Sequence, residues 1–274
     1  MPADPDKEWL CAEIGECNML KDKLIKAAEN RGAECAFVIK DLKEGTAYTY
    51  RSEEVIKSAS LIKVFIMAEA MRRIKNGELS LDSEVDVKAS DIVDFSVLLF
   101  LKPRAYTLEE LMRLMIVYSD NTATNVLIDF LGIDKINECI RNLGYEKSLL
   151  QRKMMDFESA KQGKENFTAP EEMADFLERL YNGQLLGKDA DDIMLDIMKG
   201  QADESDMRLH LPDEMPIARK SGELGCLNHE IAIVFKENRD YIFCYFSWNG
   251  ADNNDTRQLM SDASKIVYDF FEDK

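Results

Sequence analysis

The chain has 274 residues, 46% of them hydrophobic, with a formal net charge of −17 and a pI near 4.7. That length suits one large globular unit with a sizeable core. The acidity excludes nucleic acid and anionic membrane surfaces as natural partners, since both need clustered Lys and Arg.

Residues 1–17 are acidic and proline-containing and read as a loose arm. They lack a basic stretch followed by an apolar core, so they resemble no secretory signal. Asn18 to Arg31 carries Leu20, Leu24, Ala27 and Ala28 at helical spacing, closed by Gly32. Glu34 to Lys40 predicts a strand and Thr46 to Tyr50 its hairpin partner, with Gly45 in the turn. A helix is predicted from Ser60 to about Asn76, ended by Gly77. Its wide apolar face (Leu61, Val64, Phe65, Met67, Ala68, Met71) marks it as central and buried, with Ser60 at a cleft floor.

Residues 78–106 are mixed. Thr107 and Glu110 form a capping box for a helix with Leu108, Leu111, Met112 and Met115 as its stripe. A further helix runs from Ala123 to Phe130 and ends at Gly132, and Glu138 to Asn142 suits another. Residues 150–169 are a long irregular loop. Thr168 to Glu171 reads as the cap of a helix reaching Tyr181, and Asp191 to Lys199 as one more. From Ile217 strands return. Ile231–Phe235 and Tyr241–Phe246 flank a polar turn, and Asp255 caps a last helix with Leu259, Ala263, Ile266, Val267 and Phe270. Both ends are thus helix and strand with a helical middle between.

Three clusters carry chemistry. Ser60 and Lys63, three apart, share one face of a helix. A neutral amine beside a hydroxyl can take its proton, and burial or a second cation favours the neutral amine. A helix N-terminus beneath the serine offers backbone N–H groups to an oxyanion. Ser119-Asp120-Asn121 falls between helices, and Lys220-Ser221-Gly222 falls in the strand region. This ordered trio of S-x-x-K, S-D-N and K-S-G closely resembles class A β-lactamases and penicillin-binding proteins.

The resemblance covers residues 18–272. It implies an α+β (α/β sandwich) fold: a mostly antiparallel five-stranded sheet flanked by terminal helices, with an inserted all-α lobe and the active site between lobes. One domain over 18–274 is expected, with a sheet lobe of about 18–55 plus 205–274 and a helical lobe of about 56–204. By the same resemblance Ser60 is the acylated nucleophile and Lys63 its neighbouring lysine. Ser119 relays a proton to the leaving nitrogen, Asn121 binds substrate amide, and Asp120 is structural. Lys220 attracts the substrate carboxylate and depresses the pKa of Lys63, and Ser221 binds that carboxylate. The backbone N–H groups of Ser60 and Glu223 form the oxyanion hole. Phe95 is the aromatic gate.

One departure stands out. The family places a glutamate two residues after an arginine, within E-x-x-L-N, to activate the deacylating water. Here Arg152 fits the arginine, Met154 takes the glutamate's place, and Asn166 stands where an aspartate usually pairs with that arginine. Methionine cannot be a general base, so Asp156, Glu158 and Glu165 are the candidate substitutes. Acylation is therefore better supported than rapid deacylation.

The expected function is a serine hydrolase acting on β-lactams or related amides and esters. The alternatives are a D-alanyl peptidase or esterase, and a β-lactam or muropeptide sensor that stays acylated. His229 suggests a Ser-His-Asp arrangement, but no G-x-S-x-G elbow is present and a hydrogen-bonded structural histidine fits better. His210 carries no signal. Cys11, Cys17, Cys35, Cys139, Cys226 and Cys244 show no metal-like clustering, and scattered positions such as Cys35 and Cys244, inside strand-like runs, read as small buried hydrophobes. With the missing leader they give a cytoplasmic expectation, or an extracytoplasmic one if a leader was removed. No metal, organic cofactor, nucleic acid or membrane partner is expected, and the chain is expected to be a monomer binding a small-molecule substrate.

Overall fold

The computed structural model describes residues 19–202 and 207–272. The arm predicted over residues 1–17 lies outside them, as do Cys11 and Cys17. A first helix, α1, covers residues 19–29. It leads into the hairpin β1 (Glu34–Asp41) and β2 (Ala47–Tyr50), turned at Gly45 with φ +74°. At the other end of the chain lie β7 (Ile217–Leu224), β8 (Leu227–Val234), β9 (Tyr241–Trp248) and α9 (Asn253–Glu272).

These strands form a five-stranded antiparallel sheet in the order β2-β1-β9-β8-β7. The two ends of the sequence meet at its centre, where Glu34 lies opposite Trp248 and Asp41 opposite Tyr241. Alternating side chains serve the two faces. Phe37, Ile39, Phe243 and Tyr245 pack against Leu20 and Leu24 of α1 and Leu259 and Val267 of α9. Ala36, Val38, Ile242 and Cys244 join the larger core on the other face.

That larger core holds the intervening helices: α2 (Lys63–Lys75), α3 (Leu108–Val117), α4 (Asn121–Leu131), α5 (Ile133–Asn142), α7 (Pro170–Tyr181) and α8 (Lys188–Lys199). The short α6 (Phe157–Lys161) lies on the loop before α7. Every residue of α2 from Lys63 to Met71 is buried, as its apolar run predicts for a central helix. The capping box at Thr107 and Glu110 forms as predicted.

Several expectations are corrected. The helix expected from Ser60 opens as a 3-10 turn, Ala59–Ile62, and becomes α-helical only at Lys63. Ala59 takes φ +46° and the Leu61 N–H reaches back to the Ser58 carbonyl, which tightens the first turn. Thr168 does not cap α7: Ala169 takes that place with Pro170 at the first helical position. Thr168 belongs instead to β6 (Phe167–Thr168), which pairs with β3 (Ile56–Lys57). A second small pair, β4 (Glu84–Asp86) and β5 (Ala105–Thr107), forms within the stretch read as mixed. At α9 the capping oxygen is Asp252 Oδ1, which accepts the Asp255 N–H at 2.8 Å. Strand β8 begins four residues earlier than expected because Asn228, His229 and Glu230 are polar yet buried. Cys35, Cys139 and Cys244 are buried and unbridged, and burial pushes the Cys139 thiol up to about 12. No helix among the described residues is long and apolar enough to cross a membrane.

Candidate active site

A cleft of about 710 Å³ opens where the 3-10 turn, the α3–α4 junction, the loop after Leu150 and the edge strand β7 converge. Ser60, Ser119, Asn121 and Ser221 line it, so the three sequence clusters meet in space. Phe95, Met154, Glu165 and Glu223 line it too.

Ser60 sits in the 3-10 turn directly before α2, one residue after the left-handed Ala59. Strand β7 passes very close to this turn. A Cβ placed on Gly222 would meet Ala59 Cβ, the Ser58 carbonyl oxygen and the Ser60 nitrogen, each at 3.2 Å. Glycine there lets the strand approach the Ser60 nitrogen.

Lys63 is wholly buried below the cleft. Its Nζ lies 2.7 Å from the Ser119 carbonyl, 3.0 Å from Ser119 Oγ and 3.0 Å from Asn121 Oδ1. Burial first, and the positive charge of Lys220 second, hold its pKa well below the ordinary lysine value, against the opposing charge of Asp120. Nζ donates in all three contacts, and the same lowering favours loss of one proton, which would leave a lone pair facing the Ser119 hydroxyl. Ser119 holds φ +51°, a left-handed conformation that costs of order 1–3 kcal/mol for a non-glycine residue and recurs at active sites.

Asp120 explains why that geometry is stable. It is fully buried, caps α4 through the Ala123 N–H at 2.8 Å, and accepts from the Ser96 hydroxyl and the Val97 N–H. The structural role expected of Asp120 is what the hydrogen bonds show. The same loop presents Phe95, 78% exposed at φ +56°, with its carbonyl accepting the Asn121 N–H at 3.2 Å.

Lys220 is buried and donates to the Ser221 carbonyl at 2.7 Å. Gln201 meets Ser221 Oγ through its side-chain amide at 3.1 Å; with that amide turned over, its nitrogen would reach the Ile116 and Arg219 carbonyls at 2.9 and 3.3 Å and its oxygen would accept the Ser221 hydroxyl.

The loop from Leu150 to Phe167 is pinned under the cleft. Asn125 grips Met154 twice, accepting its N–H at 2.7 Å and donating to its carbonyl at 3.0 Å. Asn166 accepts the N–H groups of Gln151 and Arg152 and donates to the Arg152 carbonyl. Its own carbonyl receives the Ser58 N–H at 2.8 Å, which ties the loop to the serine's turn. The Arg152 guanidinium pairs with Glu165 at 2.5 Å instead. Of the three candidate bases only Glu165 lines the cleft. Asp156 caps α6 through the Ser159 N–H and hydroxyl, which lower its pKa, and Glu158 is an exposed partner of Lys161. Helix capping and a surface ion pair use the carboxylates of those two candidates.

His229 is fully buried on β8. Its Nε2 lies 3.0 Å from the Lys57 carbonyl, its ring packs on Phe246, and burial pushes its pKa down to about 4. It is the hydrogen-bonded structural histidine that the sequence suggested.

Residues the sequence reading missed include Asn125, Gln201, Asn253 and Arg257. Asn125 was findable, since it stands one helical turn after Asn121 and so shares its face. Asn253 and Arg257 reach the cleft, and Gln201 reaches Ser221, only through tertiary packing.

The fold and this cleft define a serine hydrolase. Residues 19–271 match the beta-lactamase enzyme family, and the chain belongs to that family. Beta-lactamase CTX-M-97 of Escherichia coli is 27% identical over 260 residues, 92% of this chain and 89% of the relative. Beta-lactamase OXY-2 of Klebsiella oxytoca is 25% identical over 256 residues, covering 90% and 88%. Among solved structures, a β-lactamase from Sphaerobacter thermophilus superposes with a TM-score of 0.82 at 25% identity, covering 90% of this chain and 94% of that one. PBP-A shares the fold with a TM-score of 0.85 at 23% identity, covering 93% and 96%.

Proposed function

We propose that the protein forms an acyl-enzyme on Ser60 and hydrolyses β-lactams or related amides and esters. The observation that carries this reading is the buried Lys63 amine bonded to Ser119 and Asn121 beneath a cleft that Ser60 lines. In acylation the Ser60 oxygen bonds to the substrate carbonyl carbon while its proton passes to the Lys63–Ser119 pair. The C–N or C–O bond then breaks as Ser119 returns a proton to the leaving atom. The Ser60 and Glu223 N–H groups would hold the oxyanion, brought together by the close passage of Gly222. Asn121 would bind the substrate amide, and Phe95 would cover the cleft mouth.

Deacylation needs a base for water. Met154 supplies none, and Glu165, the cleft-lining candidate, is engaged by Arg152. The reading is therefore fast acylation and slow release. The stay-acylated sensor and the peptidase or esterase readings rest on the same feature. One solved neighbour, a leucine-to-glutamate variant of PBP-A, is an acyl-enzyme complex with penicillin G, at 23% identity and a TM-score of 0.85.

Intact-protein mass spectrometry with a chromogenic cephalosporin, read beside absorbance, tests this. The expected result is a stoichiometric adduct on Ser60, one burst of colour and a slow steady phase. Ser60→Ala should abolish the adduct. Labelling that persisted on another residue would overturn the assignment.

A further inference from the structure

Within that acyl-enzyme reading, on which the following rests, the charges around the cleft point to a substrate preference. The two guanidinium groups that line it, Arg152 and Arg257, are each paired with a carboxylate that also lines it. Arg152 holds Glu165 at 2.5 Å, and Arg257 holds Glu223 through Nε at 3.1 Å and a terminal nitrogen at 2.7 Å. Asn253 adds a third donor to Glu223 at 3.2 Å. A carboxylate of the protein itself therefore occupies the donor set that α9 presents to the cleft.

Strand geometry sharpens the point. Ser221 and Glu223 are two residues apart on β7, so their side chains leave the same face, roughly 7 Å apart at the backbone. A substrate carboxylate brought to Ser221 would meet a like charge on its neighbour. Ser221 Oγ also lies 3.1 Å from the Gln201 side-chain amide, a contact a substrate carboxylate would have to share. Lys220 is buried and directs Nζ to a backbone carbonyl. The rim is apolar instead: Phe95, Phe100 and Phe157 line the cleft at 78, 87 and 59% exposure.

We propose that Glu223 is a specificity-determining residue that turns the cleft from acyl substrates bearing a carboxylate toward uncharged esters and amides with apolar substituents. It does so twice over, by occupying Arg257 and by placing a negative charge on the face of Ser221.

The test compares benzylpenicillin with its methyl ester, a pair that differs in that one charge. The rate of Ser60 adduct formation is read by intact mass for wild type, Glu223→Gln and Arg257→Gln. Wild type should react faster with the ester. Glu223→Gln should raise the acid-to-ester ratio about ten-fold, and Arg257→Gln should lower it, since Glu223 would then stand without that guanidinium. Opposite signs distinguish discrimination from a general disturbance of the cleft, which would move both compounds together. An acid preference in wild type, or a ratio that neither variant shifts, overturns the proposal while leaving acylation intact. If Glu223→Gln does not fold, the Arg257→Gln ratio decides alone. Absence of an adduct with both compounds overturns the acyl-enzyme reading itself, and this proposal with it.

Discussion

Lys63 is the side chain on which the proposed chemistry turns. A protonated ammonium has no lone pair to accept from Ser119, so acylation should slow as pH falls through its lowered pKa, and a pH–rate profile of adduct formation reads that limb. Lys63→Met keeps the bulk and removes the amine, and acylation should drop by about 10²–10⁴-fold. A rate within a few-fold of wild type would remove Lys63 from the mechanism. Met154 gives the complementary experiment. Its backbone is held on both sides by Asn125, so a new side chain there starts from a fixed backbone. Met154→Glu should convert the burst into turnover, speeding adduct loss by about 10²–10⁴-fold. An adduct lifetime equal to wild type would show that a carboxylate at 154 does not reach the water. His229 carries a third prediction, about stability. Its folded pKa of about 4 lies below the ordinary 6.5, so as pH falls the unfolded chain takes the proton first. Its contribution is full above pH 6.5 and is lost progressively toward pH 4, on the order of 3 kcal/mol in total. Denaturant titrations at pH 7 and 5 should show the loss in wild type and a smaller one in His229→Gln.

Among the elements, the contact between β7 and the 3-10 turn is the most exacting. Gly222→Ala would place a methyl 3.2 Å from three atoms around Ser60, closer than ordinary contact. Because the Ser60 nitrogen is one of them, acylation should fall by about ten-fold or more while the melting temperature moves by only a few degrees. A larger loss of stability than of rate would mean that the strand, not the turn, yields. The α3–α4 junction makes the opposite case. Asp120→Ala removes a cap and strips the Ser96 and Val97 donors of their partner, and should cost about 2–4 kcal/mol in a thermal or denaturant melt. The legibility of elements in the sequence follows the range of the forces that make them. The capping box at Thr107, the stripe of α2 and the Gly45 turn were readable because local geometry fixes them. The two-residue pairing of β3 with β6 was not, since nothing within Ile56-Lys57 distinguishes it from loop. The early start of β8 was hidden for a related reason. Its polar residues are buried by partners distant in sequence, His229 by the Lys57 carbonyl and Glu230 by Arg219 at 3.2 Å.

Across the whole molecule, the trio of motifs made the site readable in outline, because chemistry confines which residues can serve it. What it could not show was how the cleft is trimmed: Gln201 on Ser221, Asn125 on Met154, Arg257 on Glu223. Each joins segments that only packing brings together. The sheet separates two cores, and both depend on strands from the two ends of the sequence. Truncating Phe243 on one face, or Val38 on the other, should therefore lower one shared melting transition. Phe243→Ala should cost about 3–5 kcal/mol, and two resolved transitions would show that the layers melt separately. The pairing of Glu34 with Trp248 reaches further than stability. A ribosome making this chain completes β1 at Asp41, yet the strand that belongs beside it does not begin until Tyr241. Until then β1 has β2 on one side and a bare edge on the other, with the helical segments already able to condense. Nascent chains should therefore hold this edge open until β9 has emerged, and that is the interval in which a chaperone or a neighbouring polysome has access to it.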